Sequence, residues 1–98
     1  MMVVYNVILT SYEGTTNDLI IKCETRTTIQ EAQKTKRKMI EDFLANCEEG
    51  EYNQPTEDEL KSNITYLPHS DGYSFLSATI KVTEVKENEL TPFNPMNL

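Results

Sequence analysis

The chain has 98 residues, 38% of them apolar, with a mean hydropathy of −0.52 and a net charge of −7. That length supports one domain with an ordinary two-layer core, and the composition is too apolar and too patterned for a disordered chain. The acidity repels nucleic-acid phosphates and anionic membranes, so neither is an expected direct partner. A partner selected by charge should be basic.

The longest apolar run, residues 1–5, is far short of the roughly 20 residues that a membrane span requires. It also lacks the basic segment and small-residue cleavage site of a secretory signal. The chain is therefore expected to start at Met1 and to be cytoplasmic, which leaves the Asn63-Ile64-Thr65 sequon without meaning.

In chain order, Val3, Tyr5, Val7 and Leu9 alternate with Val4, Asn6, Ile8 and Thr10, a strand whose odd face looks inward. A turn cluster at 13–17 leads to Leu19-Ile21-Cys23 alternating with Ile20-Lys22-Glu24, so these two strands form an antiparallel hairpin. The long helix follows, over residues 28–50. Ile29, Ala32, Ile40, Phe43 and Cys47 share a narrow stripe, with Met39 and Leu44 at its edges. Thr28 with Glu31 predicts a capping box, and Gly50 predicts the left-handed stop. A second capping signature, Thr56 to Glu59, opens a short helix. Residues 64–67 make a short strand ended by Pro68, and Asp71-Gly72 is a hairpin turn. The last strand runs over 73–86, with Leu76, Ala78, Ile80 and Val82 on one face and Tyr73, Phe75, Ser77, Thr79 and Lys81 on the other.

The order is β-β-α-(short α)-β-β, an α+β domain over 1–90 with a four-stranded antiparallel sheet and one long helix packed on one face. Residues 91–98 form a C-terminal tail with two prolines, which cannot extend a helix or a central strand, and with Phe93, Met96 and Leu98 as apolar side chains.

Two cysteines, Cys23 and Cys47, make neither a CxxC pair nor a disulfide framework. Each lies on the apolar face of its element, so two buried thiols are expected, with room to be close in space because the helix must lie on the sheet that holds Cys23. The basic cluster Lys34, Lys36, Arg37 and Lys38 reads mainly as a solvated helix face neutralised by i,i+4 pairs, Arg37 with Glu41 and Lys38 with Asp42. Lys36 falls inside the apolar stripe, where its stem can pack while its ammonium reaches the edge. Lys34, Arg37 and Lys38 are the candidate contacts for a small anionic ligand such as a nucleotide.

The more unusual feature is acidic. Glu41, Asp42, Glu48, Glu49, Glu51, Glu57, Asp58 and Glu59 occupy 41–59 without an intervening Lys or Arg. Glu48 and Glu49 would sit at a helix C-terminus, which disfavours negative charge, whereas 57–59 begin a helix, which favours it. The run lacks calcium-loop spacing. His69-Ser70-Asp71 holds the residue types of a hydrolase triad, but three consecutive residues cannot converge as a triad does, and they read as a turn. One histidine leaves no material for a zinc site, and three glycines make no phosphate-cradling loop. Neither a metal, a cofactor nor an enzymatic activity is expected.

If the helix covers one sheet face, Tyr73 and Phe75 are exposed on the other, with Ile8 and Ile20 as further apolar positions. The reading is a small acidic, non-enzymatic interaction protein. Its acidic run would dock on a basic protein surface, that of a nucleic-acid enzyme for example, with Tyr73, Phe75, Phe93 and Met96 as apolar anchors. The size, the acidity and the Asn/Lys/Glu/Ile/Thr-rich composition resemble those of small inhibitors encoded by bacteriophages and other mobile elements, including anti-CRISPR and anti-restriction proteins that mimic DNA. That resemblance is one of composition, carries over no residues, and implies the host-cell cytoplasm. The alternatives are an assembly subunit that forms a homodimer or larger homo-oligomer through the open sheet face, and a nucleotide-sequestering module.

Overall fold

A computed structural model describes residues 2–85. The end of the last predicted strand, the 90/91 boundary and the tail residues Phe93, Met96 and Leu98 lie outside them. The elements are β1 (Met2–Glu13), β2 (Asp18–Arg26), α1 (Ile29–Ala45), α2 (Glu57–Lys61), β3 (Ile64–Pro68) and β4 (Phe75–Val85). The strands form one antiparallel sheet in the order β2-β1-β4-β3, with α1 packed across one face, the expected α+β architecture.

Alternation decides which residues the helix covers. Val7 and Leu9 of β1 stand opposite Ile80 and Ala78 of β4, and Leu67 of β3 stands opposite Leu76. All six are buried, and Ala32, Met39 and Ile40 of α1 close the core over them. The alternation predicts that Val82 continues this row, but Val82 is exposed. At about 3.3 Å per residue the 12-residue β1 is roughly 40 Å long, against about 26 Å for a 17-residue helix, so the sheet outruns its cover.

The helix ends earlier than Gly50. Asn46 is the C-cap, its amide nitrogen donating to Asp42 O at 2.9 Å while its backbone N–H bonds Phe43 O at 3.1 Å. The side chain and the tightened last turn satisfy carbonyls that a further turn would have used. Gly50 does have positive φ, 89°, but in the following loop, so Glu48 and Glu49 are loop residues outside the last helical turn. At the other end Thr28 Oγ1 accepts from Glu31 N at 3.1 Å without a return bond from Glu31, which leaves that capping box half-closed. The box of α2 is complete, through Glu59 N to Thr56 Oγ1 at 3.1 Å and Thr56 N to Glu59 Oε1 at 2.9 Å.

Lys36 does not reach the edge. It is 0% exposed, in the middle of the buried stripe of α1, and its ammonium donates to Leu60 O at 2.9 Å. Thr65 Oγ1 donates to Glu59 O at 2.7 Å, so two end carbonyls of the five-residue α2 are held from the core side. Arg37 turns away from Glu41 and forks onto Glu57, at 2.9 and 2.8 Å, while Lys38 does pair with Asp42 at 3.2 Å. α2 is thus pinned to α1 by an exposed guanidinium–carboxylate fork and a buried ammonium.

Burial lowers the Lys36 pKa to about 8, and the nearby Arg37 charge adds to the effect. The unfolded chain therefore binds more protons than the folded one between about pH 8 and 10.5, and the Lys36 contribution to stability rises with pH through that window. Compared by denaturant unfolding, wild type should gain stability over Lys36→Met from neutral to alkaline pH, by on the order of 3 kcal/mol. Parallel curves for the two proteins would show that Lys36 is not desolvated.

Candidate functional site

Two surfaces stand out, on opposite sides of the sheet. The first is the face that α1 leaves bare. The β1 and β4 register brings Tyr12 opposite Phe75, and Tyr66 of β3 lies on the other side of Phe75. The rings form a row across three strands, with centroids 5.7 Å apart at both steps and tilted by 33° and 32°. Offset, tilted rings of this kind attract through their quadrupoles as well as by contact. Tyr12 is fixed further by its hydroxyl, which donates to Asn17 Oδ1 at 2.8 Å; Asn17 has φ 59°, the left-handed turn position that asparagine tolerates well.

Towards the other end of the face a polar ladder crosses three strands, from Thr25 Oγ1 to Asn6 Oδ1 at 2.9 Å and from Asn6 Nδ2 to Thr83 Oγ1 at 2.9 Å. Between ladder and aromatic row lie Ile8, Ile21 and Ile64, the last two well exposed. Strand alternation puts Lys81 on this face and none of the described carboxylates. On a chain of net charge −7 that is a marked segregation.

The second surface is a cleft of about 710 Å³ on the helix side, where α1 packs closest to β1 and the inner side chains of β2 stay exposed. Ile20, Lys22 and Glu24 form its floor, Met39 and Phe43 one wall, and Tyr52 and His69 the far end. Phe43, Tyr52 and His69 pack edge-to-face in sequence, at 5.7 and 4.9 Å. Burial raises the Tyr52 pKa to about 12 and that of Cys47 to about 11; the Cys47 thiol donates to Phe43 O at 3.4 Å, which makes it an inert proton-bearing group.

His69, Ser70 and Asp71 form the expected turn. Gly72 N bonds His69 O at 3.1 Å, and Gly72 itself has φ 81°. Asp71 N donates to His69 Nδ1 at 2.8 Å, so that nitrogen accepts and its 3.2 Å approach to Asp71 Oδ1 is not an ion pair. The Asp71 carboxylate accepts from Tyr73 N at 2.7 Å, Ser74 N at 2.8 Å and Ser74 Oγ at 2.6 Å. Ser74 Oγ in turn accepts from Gly14 N at 2.9 Å, tying the β1–β2 turn to this loop. A methyl group on Gly14 would come within 2.5 Å of Tyr73 Cβ, so the approach depends on glycine there.

The predicted site residues separate. Glu57 is paired with Arg37, Asp42 with Lys38, and the Glu59 carboxylate closes the cap of α2. Glu51 faces the cleft, while Glu41, Glu48, Glu49 and Asp58 are exposed without a described ion pair. These acids belong to the helix layer, whereas Phe75 belongs to the bare sheet face and Tyr73 is an exposed loop residue. One flat partner surface cannot meet both sets. Lys34 is exposed on α1, and with Arg37 and Lys38 occupied by carboxylates the three do not converge on one point. Cys23 is exposed on the bare face and Cys47 is half-buried on the helix side, so the two thiols are on opposite sides of the sheet, not buried together. The stripe Leu19-Ile21-Cys23 is apolar, but it belongs to the face that α1 does not cover. Sequence reasoning does not single out Tyr12 and Tyr66; their alignment with Phe75 depends on strand register, which no local signal in either segment specifies.

Among the described residues no His/Cys/Asp/Glu group is arranged to hold a metal ion, and no helix is long and apolar enough to cross a membrane. No protein-family model matches the chain, and comparison with curated proteins and with solved structures gives no match.

Its three hydrogen bonds hold the Asp71 carboxyl at about 2, the bonds from Ser74 contributing most. A folded pKa below the unfolded value gives stability that is complete above about pH 4 and lost as pH falls through about 2. Asp71→Asn should melt below wild type at neutral pH, with the gap closing across that acid window in thermal unfolding followed by circular dichroism. A gap that stays constant through it would exclude the carboxylate as the clamp.

Proposed function

We propose that this is a small, non-enzymatic interaction protein that binds a protein partner through its bare sheet face. The observation that carries the reading is the segregation of charge. A four-stranded surface carries an aromatic row, exposed isoleucines and one cation, while the described carboxylates lie on other surfaces. Interface cores are rich in aromatic side chains and poor in charge, and the pattern of this face agrees with that. Tyr66 and Phe75 are the anchors, and the acidic helix layer on the other side keeps the complex soluble and steers it towards basic partners at long range.

A second reading is the acidic one, in which the helix layer occupies a basic, nucleic-acid-like groove in the manner of a phage-encoded inhibitor. It is favoured by Glu41, Glu48, Glu49 and Asp58, whose carboxylates are exposed and engage no described cation. Arg37, Lys38 and the α2 cap occupy three other acids of the run, which reduces the charge on offer.

The two readings respond oppositely to salt. The immobilised protein should retain its partner from a lysate of the source cells through a wash at about 0.5 M salt, where exposed charge contacts are screened. Tyr66→Asp should lose that partner with little change in melting temperature, since Tyr66 is more than half exposed. Capture that fails at high salt, survives Tyr66→Asp and disappears when Glu48 and Glu49 become lysine would replace the sheet-face reading with the acidic one.

A further inference from the structure

The two edges of the sheet are not alike. β3 is five residues long, ends at Pro68, which has no N–H to offer, and has α2 packed beside it. β2 has none of these protections. It pairs with β1 without a bulge over nine residues, from Asp18 to Arg26, and contains no proline. Eight of those nine are exposed, including Leu19 at 57%, Ile20 at 55% and Ile21 at 61%. Among the described residues no strand pairs with this edge, and its three consecutive apolar residues set a row of backbone donors and acceptors beside a surface that water solvates poorly.

We propose that β2 is a self-pairing edge, at which two copies of this chain join antiparallel about a two-fold axis at Cys23 to make one eight-stranded sheet. The charges of β2 select both the occupant and the register. A two-fold perpendicular to the sheet keeps both helices on one side, and facing residues then share a face, so the axis must pass through a residue position. Centring on Lys22 overlaps all of 18–26 and faces Asp18 with Arg26, but sets Lys22 against its own copy on the axis, and centring on Glu24 sets two carboxylates together and Lys22 against Arg26. Centring on Ile21 faces Asp18 with Glu24. Centring on Cys23 faces Lys22 with Glu24 twice, Ile21 with Thr25 twice and Ile20 with Arg26 twice. Centring on Ile20 also matches charge, Asp18 against Lys22, but pairs only residues 18–22 of each strand, against 20–26 for the Cys23 register. Opposite charges directly across a strand pair are favourable and like charges unfavourable, so the sequence of β2 disfavours three registers and, of the two without a like-charge clash, the Cys23 register is the longer.

In that register the two Cys23 Cα atoms would lie about 4.5–5.5 Å apart, within the span of a disulfide. The cysteine therefore reports the geometry without creating it. Diamide removes the two thiol hydrogens as it is reduced to its hydrazine, and a disulfide forms between the sulfurs. This inference concerns the edge of the sheet and the functional reading its face, so each can fail alone.

The test is a charge exchange on the full-length chain. By size-exclusion chromatography with light scattering, wild type should be a dimer, and Lys22→Glu should weaken it by roughly tenfold or more by setting a second carboxylate directly opposite Glu24. The double variant Lys22→Glu with Glu24→Lys should restore it. Diamide should cross-link wild type and the double variant, cross-link Lys22→Glu poorly, and leave Cys23→Ser a dimer without a covalent bond. A wild type that is monomeric at its highest soluble concentration would overturn the proposal. So would a dimer indifferent to Lys22→Glu and broken by Tyr66→Asp, which would assign dimerisation to the sheet face.

Discussion

One helix has to cover four strands, and it cannot. Neighbouring strands are about 4.8 Å apart, so the sheet is roughly 14 Å across between its outer strand axes, while a helix with its side chains is about 10 Å wide. α1 therefore settles over the middle of the sheet, where Val7, Leu9, Ala78 and Ile80 lie, and α2 extends the cover over β3. Over β2 the cover is thin: eight of its nine residues are exposed, and its inner side becomes the floor of the cleft. The other face has no second layer at all among those residues. Both candidate surfaces and the open edge follow from this single shortage of cover.

The cover that exists is held by an unusual contact. α2 has five residues, too few to persist alone, and it is kept in place by its capping box, by Leu60 in the core and by the Lys36 ammonium on its last turn. A buried ammonium beside carbonyl dipoles is favoured by their orientation and penalised by desolvation. The lowered Lys36 pKa reports the penalty, and the complete burial of the side chain shows how closely α1, α2 and the sheet converge there.

Most of the architecture was readable in the sequence because its signals are local. Alternation in β1 and β4, the Thr28 and Thr56 caps and the Asp71-Gly72 turn each involve residues a few positions apart. The failures involve competition between signals or distant partners. Gly50 looked like the helix stop, but Asn46, four residues earlier, supplied its own side-chain bond to Asp42 O. Arg37 had Glu41 one turn away and took Glu57 instead, because α2 brings a carboxylate that the fork can meet with both nitrogens. Cys23 lies in an apolar stripe, and the stripe gave no sign of which sheet face the helix would choose. The Tyr12–Phe75–Tyr66 row was beyond local reading for the same reason, since it joins three strands through two registers. The acidic run was obvious, yet its division into paired, capping and unengaged carboxylates depended on where α2 packs.

The described residues cover the sheet on one face only, and hydroxyl-radical footprinting of the dilute full-length chain measures that cover. Leu19, Ile64 and Tyr66 on the bare face should be oxidised rapidly, while Val7, Ile40 and Leu76 between sheet and helix should be nearly silent. Edge pairing through β2 would leave the first group reactive, because their side chains stand out of the sheet plane. Protection of Ile64 and Tyr66 to the level of Leu76 would contradict the account, since it would mean that a second layer covers the face on which the proposed function depends.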